Sequence, residues 1–215
     1  MSVPLFVELC AGTAALSVRL QGGRYARPPV SRMGAKTGYA DCILRIMGLR
    51  PGQGAAHYLW CEPDAGVRLL LEAYRDHELA LAAADIIRGW ADEEPRALWE
   101  RLRAEGPVKH TGPREVARWT IGQQWTHAGR PCFASYDDVK AEGRVFTDGN
   151  GNLGHWKPQT PRKVATRVAD TPTIPATIHP DALQVDPQQL PPGCVVYMDP
   201  PYEGTTGYTN DLPRT

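Results

Sequence analysis

A chain of 215 residues, 42% apolar and 22% charged, is long enough for one α/β domain carrying an insertion and has the ordinary balance of a globular protein. No stretch approaches the roughly 18 consecutive apolar residues of a membrane span, and the N-terminus lacks a charged-then-apolar leader. The formal net charge is zero, which speaks against a uniformly basic nucleic-acid binder. Residues 101–170 nevertheless carry 12 Lys+Arg against 7 Asp+Glu, a local surplus suited to holding phosphates. The five cysteines (Cys10, Cys42, Cys61, Cys132, Cys194) are scattered and form no C-x-x-C pair. They read as small core residues in a reducing cytoplasm, with neither a disulfide nor a metal framework expected.

Leu5-Phe6-Val7-Glu8-Leu9 predicts a short strand that passes through the small-residue turn Cys10-Ala11-Gly12-Thr13-Ala14 into a helix ending near residue 20. Gly12 permits close backbone approach, and the helix start offers unpaired N–H groups and a positive dipole end, a fit for the carboxylate of an amino-acid-like cofactor. Residues 21–38 read as a Gly/Pro/Arg loop containing Ser31-Arg32-Met33-Gly34-Ala35-Lys36-Thr37. A phosphate-binding loop is disfavoured there, because Val30 and Ala35 stand where its two glycines belong. A helix over 39–50 is broken by Pro51-Gly52-Gln53-Gly54, and a strand over 57–61 leads through Glu62-Pro63-Asp64 into a helix over 64–76. An acid at that strand end either hydrogen-bonds ribose hydroxyls or starts the helix.

Apolar spacing predicts two helices within 79–104, separated by Asp92-Glu93-Glu94-Pro95, and another over 113–125 with Trp119 and Trp125. From Gly129 to about Asp170 aromatic residues sit among Gly, Asn and Lys, and Asp148-Gly149-Asn150-Gly151-Asn152 marks a tight hairpin. Six prolines make 171–193 an irregular crossing. The strand Val195-Val196-Tyr197-Met198 then runs into Asp199-Pro200-Pro201-Tyr202. The prolines stop the strand and leave its last carbonyls as acceptors, Asp199 adds a carboxylate, and Tyr202 supplies a flat ring. Acceptors beside a stacking face suit an exocyclic amino group on a base swung out of a nucleic-acid stack.

These motifs together resemble the S-adenosylmethionine-dependent adenine-N6 DNA methyltransferases of the Dam-like class, whose catalytic motif reads Asp-Pro-Pro-Tyr or Asn-Pro-Pro-Tyr. The resemblance covers residues 1–20, 57–75 and 194–208. It implies an α/β fold with a Rossmann-like parallel sheet, incomplete after the fourth strand, and an inserted target-recognition module. The expected divisions are 1–105 (cofactor-binding half), 106–175 (recognition insertion) and 176–215 (catalytic strand and loop). Asp199, Pro200, Pro201 and Tyr202 are then catalytic, with Asp199 and the Pro200 carbonyl accepting from the amino group and Tyr202 stacking on the base. S-adenosylmethionine is expected against Glu8, Cys10, Ala11, Gly12, Thr13, Ala14, Lys36, Glu62 and Asp64, with Glu62 as the ribose ligand. Double-stranded DNA is expected to meet Lys140, Arg144, Lys157, Arg162, Lys163 and Arg167. Only 13 residues follow Tyr202, so a second polypeptide is expected to complete the sheet. The chain departs from the family in having Cys10 where an aromatic is usual, Ala14 for a second glycine, and the basic Gly-Lys segment after the first motif instead of before it. The alternatives are a cytosine-N4 enzyme, which usually shows Ser-Pro-Pro-Tyr, a cytosine-5 enzyme, an RNA or protein amide substrate, and a non-catalytic DNA-binding subunit.

Overall fold

Four short, mostly apolar segments of four residues each pair into one sheet. A computed structural model describes residues 3–30, 36–106, 111–125 and 160–199. Its strands are β1 (Phe6–Leu9), β2 (Tyr58–Cys61), β3 (Ala176–His179) and β4 (Val195–Met198). They form an all-parallel sheet in the order β3-β2-β1-β4. The fold is therefore α/β, compatible with a Rossmann-like architecture.

Register puts Phe6, Tyr58, Ala176 and Val195 on one face, followed one pleat later by Glu8, Trp60, Ile178 and Tyr197. This face is the packed one. Phe6, Tyr58, Trp60 and Tyr74 make a file of tilted and edge-on rings spaced 6.1–6.5 Å apart, arrangements that aromatic quadrupoles favour. Helix α1 (Ala15–Gly22) lies over it with Leu16 and Leu20, α2 (Ala40–Ile46) adds Leu44, and α3 (Ala65–Arg75) adds Leu71 and Tyr74. The opposite face is thinner. Val7 and Cys61 are buried there, whereas Val196 and Met198 of β4 are 41% and 64% exposed.

A second apolar cluster is purely helical. It joins α4 (His77–Gly89), α5 (Pro95–Ala104), α6 (Pro113–Trp125) and α7 (Pro161–Ala169) around Ile87, Leu98, Trp99, Ile121, Trp125 and Val164, with Trp99 stacked on Trp125. Packing continues across residue 105, because Arg118 of α6 donates to the carbonyls of Leu102 and Gly106 at the end of α5. The same guanidinium makes two bonds to Glu115, so a buried charge is fully engaged. Helix α3 belongs to both clusters: Leu69 and Ala73 face the helical one, Leu71 and Tyr74 the sheet.

Two expectations need correction. Residues 176–179, expected within an irregular crossing, form edge strand β3, with Pro175 and Pro180 just outside it. The ladder stays intact because both prolines lie outside the paired residues, and Pro175 still accepts from the Tyr58 N–H through its carbonyl. The helix expected over 39–50 ends at Ile46, where Gly48 turns left-handed (φ 75°) and the Leu49 N–H bonds back to the Leu44 carbonyl.

Candidate active site

The chain lays down β1, β2 and β3 in one direction across the sheet, then returns to place β4 on the free side of β1. In open α/β sheets such a reversal opens a crevice at the carboxyl ends of the strands, where ligands bind. Leu9 is in register with Met198, so the next residues, Cys10 and Asp199, emerge side by side at that crevice. Leu9 is likewise in register with Cys61, which brings Glu62 to the same edge.

The turn after β1 is strained. Cys10 (φ 61°) and Ala14 (φ 49°) adopt the left-handed conformation that costs residues with a Cβ roughly 1–2 kcal/mol, and Gly12 (φ 53°) adopts it freely between them. Surrounding bonds hold the turn in place. The Ala11 N–H donates to the Cys61 carbonyl, and the Gly12 N–H donates to Glu62 Oε2 at 2.8 Å. Strain retained in this way is a mark of functional turns. A Cβ on Gly12 would face open space, and the buried Thr13 hydroxyl has no hydrogen-bond partner. The turn thus offers an accessible backbone surface and a polar group without a protein partner, which fits an amino-acid or nucleoside ligand.

Glu62 is buried and bridges two turns, since its other oxygen accepts from the Asp64 N–H at 3.0 Å. Asp64 caps α3: its Oδ1 accepts from the N–H groups of Gly66 and Val67. The acid that starts the helix and the acid that faces the crevice are therefore different residues. Burial chiefly, and then the carboxylates of Glu62 and Asp199, push the Cys10 thiol above its ordinary pKa, so Cys10 is a neutral thiol at neutral pH.

Glu8 does not face the crevice. It lies on the packed face, and its carboxylate accepts from the Ser17 N–H and the Ser17 hydroxyl, which itself accepts from the Trp60 indole. Ala14 has no side chain able to cap α1, so Glu8 caps that helix from the neighbouring strand. The Ser17 N–H is therefore engaged and is not one of the unpaired N–H groups that the first turn of α1 was expected to present to a cofactor. Burial raises the Glu8 pKa from 4.5 to about 7 against the lowering effect of the Ser17 bonds.

Lys36 reaches the site from a different direction. Its Nζ lies 2.7 Å from Asp199 Oδ2, each side chain about one-fifth exposed. A cation therefore already sits on the strand-end acceptor, a pairing that the sequence position of Lys36 does not reveal. Pro200, Pro201 and Tyr202 lie outside the described residues, as do Lys140, Arg144 and Lys157. Arg162, Lys163 and Arg167 project from the exposed side of α7, and Arg162 pairs with Asp92. They are not part of the β1–β4 crevice. Sequence reading also missed the Glu115–Arg118 clamp, although a Glu-x-x-Arg spacing within a helix is its signal.

Among the described residues no helix is long and apolar enough to cross a membrane, and no group of three His, Cys, Asp or Glu is placed to hold a metal ion. No protein-family model matches the chain, and no curated protein matches it.

Proposed function

We propose that the protein transfers a methyl group from S-adenosylmethionine to the exocyclic N6 amino group of an adenine flipped out of DNA. The observation that carries the reading is the parallel pairing of β1 with β4, which puts the strained Cys10–Ala14 turn beside Asp199 at the reversal of strand order. S-adenosylmethionine, when bound, supplies an electrophilic methyl on a sulfonium. The Gly12–Thr13 backbone and the Thr13 hydroxyl are the groups to hold its amino-acid end, and Glu62, clamped by two amides, is the group to meet its ribose.

Asp199 accepts from the amino N–H and so aims the nitrogen lone pair at the methyl. The base amine takes the place now held by the Lys36 ammonium. With S-adenosylmethionine bound, the amine held by Asp199 would receive the methyl as the sulfonium becomes a thioether, and the surplus proton would pass from the amine to solvent. The contribution of the protein is placement and charge arrangement. Tyr202, next along the chain after the two prolines, is assigned the stacking face, worth about 1–3 kcal/mol per base. The exposure of Val196 and Met198 supports completion of the sheet by further polypeptide.

The test is tritiated-methyl transfer to unmethylated duplex DNA, followed by nucleoside analysis of the product. N6-methyladenine from the unaltered protein, absent with Asp199→Ala at unchanged S-adenosylmethionine affinity, is the expected result. N4-methylcytosine would reassign the base, and no transfer with or without a completing polypeptide would overturn the proposal.

A further inference from the structure

The first fifty residues hold an uneven charge that averaging conceals: Arg19, Arg24, Arg27, Arg32, Lys36, Arg45 and Arg50 stand against only Glu8 and Asp41. Glu8 is buried in the sheet core, which leaves Asp41 as the one acid among these cations outside it. Part of this surplus is gathered into one place. Arg19, Arg24, Tyr25, Arg27, Thr37 and Asp41 line a cavity of about 350 Å³ between α1, the loop that follows it, and the start of α2. Three guanidinium groups against one carboxylate leave it strongly positive.

Arg19 is 6% exposed, and its Nε lies 3.2 Å from Asp41 Oδ1. That distance makes an ion pair, but the geometry is not that of a hydrogen bond, and both atoms are buried without a hydrogen-bond partner. The buried Thr37 hydroxyl on the same wall has none either. A tetrahedral oxyanion would satisfy the Arg19 donor and the Thr37 hydroxyl, while Asp41 Oδ1 keeps only its ion pair with Arg19 and is outnumbered by the three guanidinium groups. The next residue along the chain from Thr37 towards the site is Lys36, whose ammonium rests on Asp199. Tyr25, 87% exposed, adds a flat ring at the rim. Cations lining a groove with an exposed aromatic beside them are how proteins track a nucleic-acid strand.

We infer that this cavity binds a backbone phosphodiester of the DNA strand that carries the target base. The inference rests on the methyl-transfer reading above and extends it. The segment that follows the cofactor turn then anchors the strand next to Asp199, while Arg162, Lys163 and Arg167 project from the exposed side of α7. The volume falls within the range of small-molecule sites and exceeds what a lone phosphate needs, leaving room for an attached sugar.

Binding of a fluorescein-labelled duplex to the full chain, followed by anisotropy from 50 to 300 mM NaCl, tests this. Arg24 and Arg27 are exposed, so an Arg24→Ala/Arg27→Ala variant keeps the core. Losing two phosphate contacts is expected to make the log–log salt slope shallower by about 1.8 and to weaken binding about fiftyfold near 0.1 M salt. S-adenosylmethionine affinity, measured by calorimetry, is expected to stay unchanged. An unaltered slope overturns the inference while leaving methyl transfer standing. A matching loss of S-adenosylmethionine binding also overturns it, and assigns the cavity to the cofactor carboxylate. Failure of the unaltered protein to bind duplex at any salt removes this inference and the DNA substrate together.

Discussion

Replacing Glu8 with glutamine isolates the energetic consequence of burying a carboxyl group beneath the sheet. The folded-state pKa is raised from 4.5 to about 7. Below pH 4.5 the group holds its proton in folded and unfolded chains alike and contributes no pH dependence. Between pH 4.5 and 7 the folded chain keeps a proton that the unfolded chain has released, so stability falls as pH rises. Above pH 7 both states are ionised and the full penalty persists. At about 1.4 kcal/mol per pH unit the loss across this window is about 3 kcal/mol. Glu8→Gln keeps an oxygen to accept from the Ser17 N–H and hydroxyl and cannot ionise. The stability difference between variant and parent is therefore expected to grow in favour of glutamine by about 3 kcal/mol from pH 4.5 to 8. That corresponds to roughly 6–12 °C in Tm for a chain of this size. Urea unfolding followed by tryptophan fluorescence at several pH values reads the difference directly. A difference independent of pH would refute the assignment of a raised pKa to this group, whatever its absolute size.

Three further outcomes are expected. A Cβ at Gly66 would lie 2.2 Å from the Trp119 ring, so Gly66→Ala forces α3 and α6 apart and costs about 1–3 kcal/mol, measurable as a lower urea midpoint. Arg118→Ala leaves Glu115 as a buried, uncompensated charge beneath Trp119 and is expected to cost about 3–5 kcal/mol in the same assay, most of it recovered by the double variant Glu115→Gln/Arg118→Met. Glu62→Ala removes the acceptor shared by the Gly12 and Asp64 amides. It is expected to cost about 1–3 kcal/mol of stability and, in the methyl-transfer reading, to abolish S-adenosylmethionine binding as measured by calorimetry.

The strands that lead into the crevice were legible because each is an apolar run ending on a turn-forming residue. Leu5–Leu9 ends at Cys10 and Ala11-Gly12, Tyr58–Cys61 at Glu62-Pro63, and Val195–Met198 at Asp199-Pro200. Strand β3 escaped notice since four residues between two prolines carry too little pattern, and its ladder to β2 is a long-range choice. Helix α1 gives no amphipathic stripe: Ala15 to Leu20 are all buried, Ser17 and Arg19 included. Asp64 and Glu62 are two positions apart and of the same chemistry, so only backbone geometry separates the helix cap from the residue facing the crevice. Glu8 shows the same limit in reverse. Strand alternation puts it on the Phe6 side, opposite Val7, but only the position of α1 turns that side into a dry interior. The Lys36–Asp199 contact spans most of the chain and has no local signature.

The double membership of α3 bears on how the molecule comes apart. One side of this helix, with Leu69 and Ala73, is a wall of the helical cluster, and its other side, with Leu71 and Tyr74, is a wall of the sheet core. Neither half can melt without stripping an apolar lining from its neighbour, so heat is expected to dissolve both together in one sharp calorimetric peak. Because Asp64 caps that helix and Glu62 holds the Asp64 amide, a small molecule gripping Glu62 stiffens the shared partition, and its protection against hydrogen exchange extends to helices it never touches.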